Sequence, residues 1–203
     1  MTVDRFRVPA GDAAAEIKVE RSRFLAYAFP LAAETDFAPA LETLARKHFD
    51  ATHLCWAWRI IVGEAPRARS SDAGEPQGTA GRPILMAIEG SDLFDAAVVV
   101  VRYYGGVKLG TGGLSRAYRA AAQAAIAETP VMERYIYDRF EVEVPFPGLN
   151  AIYRMIAPPD VKLVSELFSE DNLFTIDVRR SQADRFADSL TAHRFDFRRL
   201  ARS

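Results

Sequence analysis

Two short glycine-rich turns hold the residues best placed for chemistry, Gly78-Thr79-Ala80-Gly81 and Gly110-Thr111-Gly112-Gly113. Each runs into a stretch of helical period. A glycine turn at a helix start presents unpaired backbone N–H groups at the positive end of the helix dipole, a seat for phosphate or carboxylate. Thr79 and Thr111 add hydroxyl donors, and Arg82, Lys108 and Arg116 add charge. Arg23, Arg102 and Arg119 complete the expected anion- or nucleic-acid-binding set with Gly78, Gly81, Gly110, Gly112 and Gly113. Gly112 is expected to need a positive φ. The spacing matches neither the Walker loop nor the dinucleotide fingerprint. Glycine turns also serve helix packing and tight reversals with no ligand at all.

Asp72 and Glu75 are the carboxylates beside the first turn. They are a possible acidic pair for metal binding or acid–base work, though turn formation and capping is the favoured reading. His48 and His53 lack the partners of a metal motif, so no metal is expected. Cys55, Trp56 and Trp58 sit in an apolar stretch and read as core, with base stacking the lesser alternative for the tryptophans. Neither Ser70 nor Ser71 stands in a nucleophile elbow, and no catalytic set is evident.

The 203 residues are 49% hydrophobic and 26% charged with a net charge of -1, the balance of a globular chain without a global basic field. Polyanion binding must therefore come from a local patch. One cysteine rules out internal disulfides and fits a cytoplasmic location. The first residues lack the apolar run of a signal peptide, and no stretch reads as a membrane span.

The elements that must position the turns follow in order. Residues 15–31 read as two strands around Glu20-Arg21-Ser22. Asp36 to His48 reads as a helix capped by Thr35, and Thr52 to Val62 as a buried strand. Gly63 to Arg82 reads as a long loop, then a helix starts at Pro83. Phe94 to Tyr104 is a strand apolar without alternation, hence covered on both faces. The following helix, about Gly113 to Glu128, gathers Leu114, Ala117, Tyr118, Ala121 and Ala125 on one side and Arg116, Arg119 and Gln123 on the other. Val131 to Tyr137 is a strand or linker. The remainder reads strand, helix (Pro147 to Ala157), two strands around Ser169-Glu170-Asp171-Asn172, a helix capped by Ser181, and a last strand at Phe195-Asp196-Phe197. That βαββαβ order is ferredoxin-like.

The motifs resemble those of the YigZ/IMPACT family. Asp72-Ala-Gly-Glu-Pro-Gln-Gly-Thr-Ala-Gly-Arg-Pro-Ile-Leu85 is similar to that family's Asp-Asp-Gly-Glu-Pro-x-Gly-Thr-Ala-Gly segment. Arg102-Tyr-Tyr-Gly-Gly-Val-Lys-Leu-Gly-Thr-Gly-Gly-Leu114 is similar to its Arg-Tyr-Phe-Gly-Gly-x-Lys-Leu-Gly-x-Gly-Gly-Leu segment. Arg21-Ser-Arg-Phe-Leu-Ala26 and Ala51-Thr-His-Leu-Cys55 fit as well. Ala73 departs by replacing an acid and Tyr104 by replacing a phenylalanine. The resemblance implies an α+β chain: a ribosomal protein S5 domain 2-like domain at 1–135, then a ferredoxin-like domain at 138–203. It also implies a link to translation, because eukaryotic relatives are translation regulators.

The resulting expectation is a non-catalytic binding or regulatory protein that holds RNA, the ribosome or another polyanion through its glycine-rich basic surface, with no cofactor. The alternatives are an enzyme or sensor for a small phosphorylated ligand, and a protein–protein regulator without a small ligand.

Overall fold

The computed structural model describes residues 4–62, 65–168 and 172–200, which separate into two compact units. One holds Phe6–Glu133 and the other the remaining described residues.

The first unit is built on strands β2 (Ala13–Val19), β3 (Ser22–Pro30), β4 (His53–Val62), β5 (Ala65–Ser71) and β6 (Ala96–Tyr103), following the short β1 (Arg5–Pro9). The five make an antiparallel sheet of order β2-β3-β6-β4-β5. Central β6 is buried along Ala96–Arg102, because both faces of the sheet are covered. Val98 and Val100 pack with Phe24, Ala57, Ile84 and Tyr118, under helices α2 (Gly81–Gly90) and α3 (Gly110–Ala127). Ala97 and Val99 pack with Leu31, Trp58 and Ile60, under Phe37 at the start of α1 (Phe37–Lys47). Each such valine contributes about 1.5–3 kcal/mol by leaving water. On α3, Leu114, Ala117, Tyr118, Ala121 and Ala125 are buried while Arg116, Arg119 and Gln123 are exposed, as the angular reading expects. Both tryptophans pack in or against the core beneath Phe37. A strand β7 (Val131–Tyr135) pairs with β1.

Several local expectations need correction. Residues 65–71, read as loop, form β5 in register with β4 from Trp56↔Ser71 to Val62↔Ala65; Gly63 lies outside the described residues. The polar sequence of β5 fits an edge strand in water, which shows no apolar alternation. Thr35 does not cap α1: it lies in a 3-10 turn, Glu34–Asp36, that feeds the helix. Helix α3 starts at Gly110, three residues early, so its glycines form the first turn of the helix rather than a loop before it. The positive φ falls at Gly106 and Gly110 and not at Gly112.

In the second unit, β8 (Tyr137–Val144), α4 (Leu149–Ile156), β9 (Val161–Leu167), β10 (Asn172–Arg179), α5 (Arg180–Ala192) and β11 (Asp196–Leu200) form a ferredoxin-like fold of sheet order β11-β8-β10-β9. Phe140, Val142, Val144, Phe174, Ile176 and Val178 fill its core with Ile152, Phe186 and Leu190 from the helices. Ser181 is not the cap of α5; its backbone N–H donates to Asp4 Oδ2 at 3.1 Å. The turn at Ser169-Glu170-Asp171 lies outside the described residues. Outward Arg139 pairs with Asp177 at 2.8 Å, and Arg198 with Glu141 at 3.1 Å. Arg179 pairs with Asp160, Arg180 with Asp138, and Arg199 with both Asp138 and Asp184. The arginines of this unit's two Arg-Arg pairs are thus spent on its own acids.

Candidate functional site: the cleft at the start of helix α3

The two glycine turns have different fates. At the first, Asp72 follows β5 directly and turns its carboxylate onto the loop ahead. Oδ2 accepts from Gly78 N–H at 2.8 Å, and Oδ1 from Ala80 and Gly81 N–H at 2.9 and 2.8 Å. The donors expected to hold a ligand are therefore taken by the chain itself. Thr79 joins the same closure, donating its hydroxyl to Pro76 O at 2.6 Å. Burial pushes the Asp72 carboxyl up, but the three N–H groups outweigh it and hold the carboxyl below its ordinary value. Ala73 has φ +44, a left-handed conformation that Asp tolerates better than Ala, so the departure there places a less suited residue in the turn.

Replacing Asp72 with Ala should cost about 2 kcal/mol at neutral pH, because three N–H groups lose one acceptor. A carboxyl with a lowered folded pKa stabilises above its unfolded pKa, and that contribution vanishes as pH falls through the folded one. The gap between wild type and Asp72→Ala should therefore close on acidification below about pH 4. Urea unfolding at neutral and acid pH measures it; a gap independent of pH would refute the assignment.

Glu75, by contrast, goes inward. Its side chain is 3% exposed and that of Arg102 is 6% exposed. Glu75 Oε1 accepts from Arg102 Nη1 at 2.6 Å and from the Tyr118 hydroxyl at 2.7 Å. His53 Nε2 stands 3.9 Å from the same oxygen, while Nδ1 lies 2.9 Å from Ala73 O, and a carbonyl only accepts, so Nδ1 carries a proton. Burial pushes the Tyr118 hydroxyl above its ordinary value and the Cys55 thiol up to about 12. Cys55 is therefore a protonated core thiol, donating to Asp72 O at 2.9 Å. Asp72 and Glu75 do not act as a pair: one closes a turn and the other neutralises an arginine. Among the described residues no group of three His, Cys, Asp or Glu side chains could hold a metal ion.

The second turn stays open. Helix α3 has no side-chain cap and no acid in its first turn. Gly110 takes φ +67, and a side chain there would meet nothing within 4 Å. Beside it lies a cleft of about 460 Å³. Its lining includes Thr52, His53, Arg102, Tyr104, Lys108 and Thr111, along with Glu75. A neighbouring hollow of about 400 Å³ is lined by Glu20, Lys108, Gly113 and Arg116 among others. Lys108 contributes to both.

The expected cations divide accordingly. Lys108, Arg116 and Arg119 are exposed and make no ion pair among the described residues. Arg102 is buried, a correction to its place on an open surface. Arg23 is held by Glu16 at 2.8 Å, and Arg82 faces Glu89 at 3.7 Å. His53, Tyr104 and Thr52 join the cleft without any motif that marks them as cleft residues. Their signal lies in the register, where His53 stands opposite Arg102. The apolar run continuing into Arg102 was a visible hint that this arginine would be buried and need an acid.

The Impact N-terminal domain profile matches residues 20–126, more than half of the chain. The chain belongs to the IMPACT family. An IMPACT family member of Thermus thermophilus, encoded in the pol 5′ region, is 42% identical over 68% of this chain and 73% of its own. The family member YigZ of Escherichia coli is 29% identical over 93% of each chain. A crystal structure of a hypothetical protein superposes over 99% of this chain and 98% of its own, with 26% identity and a TM-score of 0.68. The fold is the family's α+β arrangement, an S5 domain 2-like domain followed by a ferredoxin-like one. No helix among the described residues is long and apolar enough to cross a membrane.

Proposed function

We propose that this family member is a non-catalytic binding protein linked to translation, which holds RNA or a ribosomal element on the surface around the start of α3. The observation that carries the reading is the uncapped, acid-free first turn of α3, with Lys108, Arg116 and Arg119 exposed and unpaired among the described residues. Anions are favoured at such a terminus, and cations next to it have no counter-charge from the chain. The link to translation that the family resemblance implies favours RNA or a ribosomal element as the polyanion. The cytoplasm is the matching location.

A second reading, a sensor or enzyme for a small phosphorylated ligand, is favoured by the cleft, whose volume of about 460 Å³ suits one small molecule.

Co-sedimentation with ribosomes and free RNA across a salt series tests the first reading. Arg116→Glu with Arg119→Glu should reduce the slope of log affinity against log salt by about 1–2. Both side chains are exposed, so unfolding stability should change by less than about 0.5 kcal/mol each. Association that ignores salt, or that survives the double reversal intact, would refute the surface.

A further inference from the structure

We propose that the cleft beside α3 is a receptor for a phosphomonoester dianion, carried by the end of an RNA chain or by a free nucleotide. This rests on the RNA reading above and narrows it to one subsite.

Four observations converge there. Gly110 lines the cleft as the first residue of an 18-residue helix, and the place of its missing Cβ has nothing within 4 Å, so a phosphate can come close to the backbone there. Cations crowd the positive end of this dipole: Lys108 lines the cleft, and Arg116 Nη1 lies 3.4 Å from where a Cβ on Gly112 would stand. Positive groups at a helix N-terminus are unfavourable unless an anion joins them. Independently, Arg102 lines the cleft with its side chain 6% exposed, and its Nε is buried without a hydrogen-bond partner. A guanidinium N–H left unpaired beside the cleft is a donor that a bound acceptor would satisfy. Finally, Tyr104 is 46% exposed at the cleft wall, with the Arg102 guanidinium 5.3 Å from its ring, so an aromatic face is available to a base.

The charge balance favours a dianion over an internal phosphodiester. Glu75, the acid among the lining residues, is already bonded by Arg102 and Tyr118. Glu20 lines the adjoining hollow and not the cleft. Arg116 lines that hollow too, so the cleft itself keeps Lys108 and about half a unit of positive charge at the helix terminus, still more than the single charge of a backbone phosphate neutralises.

Three probes separate the outcomes: a short single-stranded RNA with a 5′-phosphate, the same RNA with a 5′-hydroxyl, and adenosine monophosphate. The phosphorylated RNA should bind about tenfold more tightly than the hydroxyl form, and the free nucleotide should compete away that increment. Thr111→Glu places an acid in the first turn and should erase the increment while melting at or above the wild-type temperature, since acids stabilise that end of a helix. Equal affinity for both RNAs would overturn the subsite and leave the RNA reading standing. Binding of the nucleotide with neither RNA bound would sink the RNA reading and keep the subsite for a small ligand. No binding of any probe overturns both. A phosphate preference that persists in Thr111→Glu moves the subsite elsewhere and refutes this placement.

Discussion

Glu75→Gln should lower the stability of the first unit by about 3–5 kcal/mol, the cost of leaving one member of a buried ion pair uncompensated. The substitution keeps the size of the side chain and an oxygen that can accept from the Arg102 guanidinium and the Tyr118 hydroxyl. What it removes is charge. The Arg102 guanidinium stays protonated in any protein environment, so with a 6% exposed side chain it must be carried as a bare buried cation. A surface pair would give a far smaller effect, about 1 kcal/mol or less, and the measured size discriminates the two. Urea unfolding followed by tryptophan fluorescence reads this unit alone, because both tryptophans, Trp56 and Trp58, belong to β4. Removing both charges, with Glu75→Gln and Arg102→Leu together, should recover much of the loss, because neither partner is then stranded. If the double variant is no better than the worse single one, the cost lies in packing and not in charge.

This pair also marks where reading the sequence stops. The continuous apolar run before Arg102 predicts a central strand covered on both faces, and β6 is that strand. The angular distribution of α3 predicts its buried and exposed sides, because alanines and leucine repeat at helical period. These features are local in the chain. The partners of Arg102 are not: Glu75 is 27 residues away and Ser22 is 80 residues away. Only the sheet order brings them together. The same limit explains Asp72. A carboxylate before a glycine turn looks available, yet its loop folds back so that it fills the anion seat itself. Strand β5 carries no strand pattern, because a polar edge strand such as Arg67-Ala68-Arg69-Ser70 has the composition of a loop and owes its structure to pairing with β4. Helix α3 starts earlier than composition implies, because glycine lowers helix propensity by about 1 kcal/mol and so argues against helix where the structure has it.

Gly105→Ala should be among the most damaging single-methyl additions in the chain. An added Cβ would lie 2.0 Å from both the carbonyl carbon and oxygen of Arg21, and 2.5 Å from its Cβ. Those atoms belong to the turn between β2 and β3, so rotating a side chain cannot relieve the overlap. The backbone would have to separate, taking with it the bond from Gly105 N–H to the buried Ser22 hydroxyl at 3.2 Å. Overpacking and that lost bond together should cost about 3 kcal/mol or more, read as a shift in the urea midpoint. Gly112→Ala is the matched control. Its added methyl would meet only the far end of Arg116, at 3.4 Å, and replacing a helical glycine should stabilise by up to about 1 kcal/mol. A neutral Gly105→Ala would mean that the turn at Arg21 yields freely and does not brace the approach to α3. The opposite signs expected at two glycines seven residues apart separate two reasons for the cluster. Gly105 is required by the fold. Gly112 lowers helix stability while keeping the backbone of the first turn bare, an arrangement that makes physical sense where a ligand must reach those N–H groups.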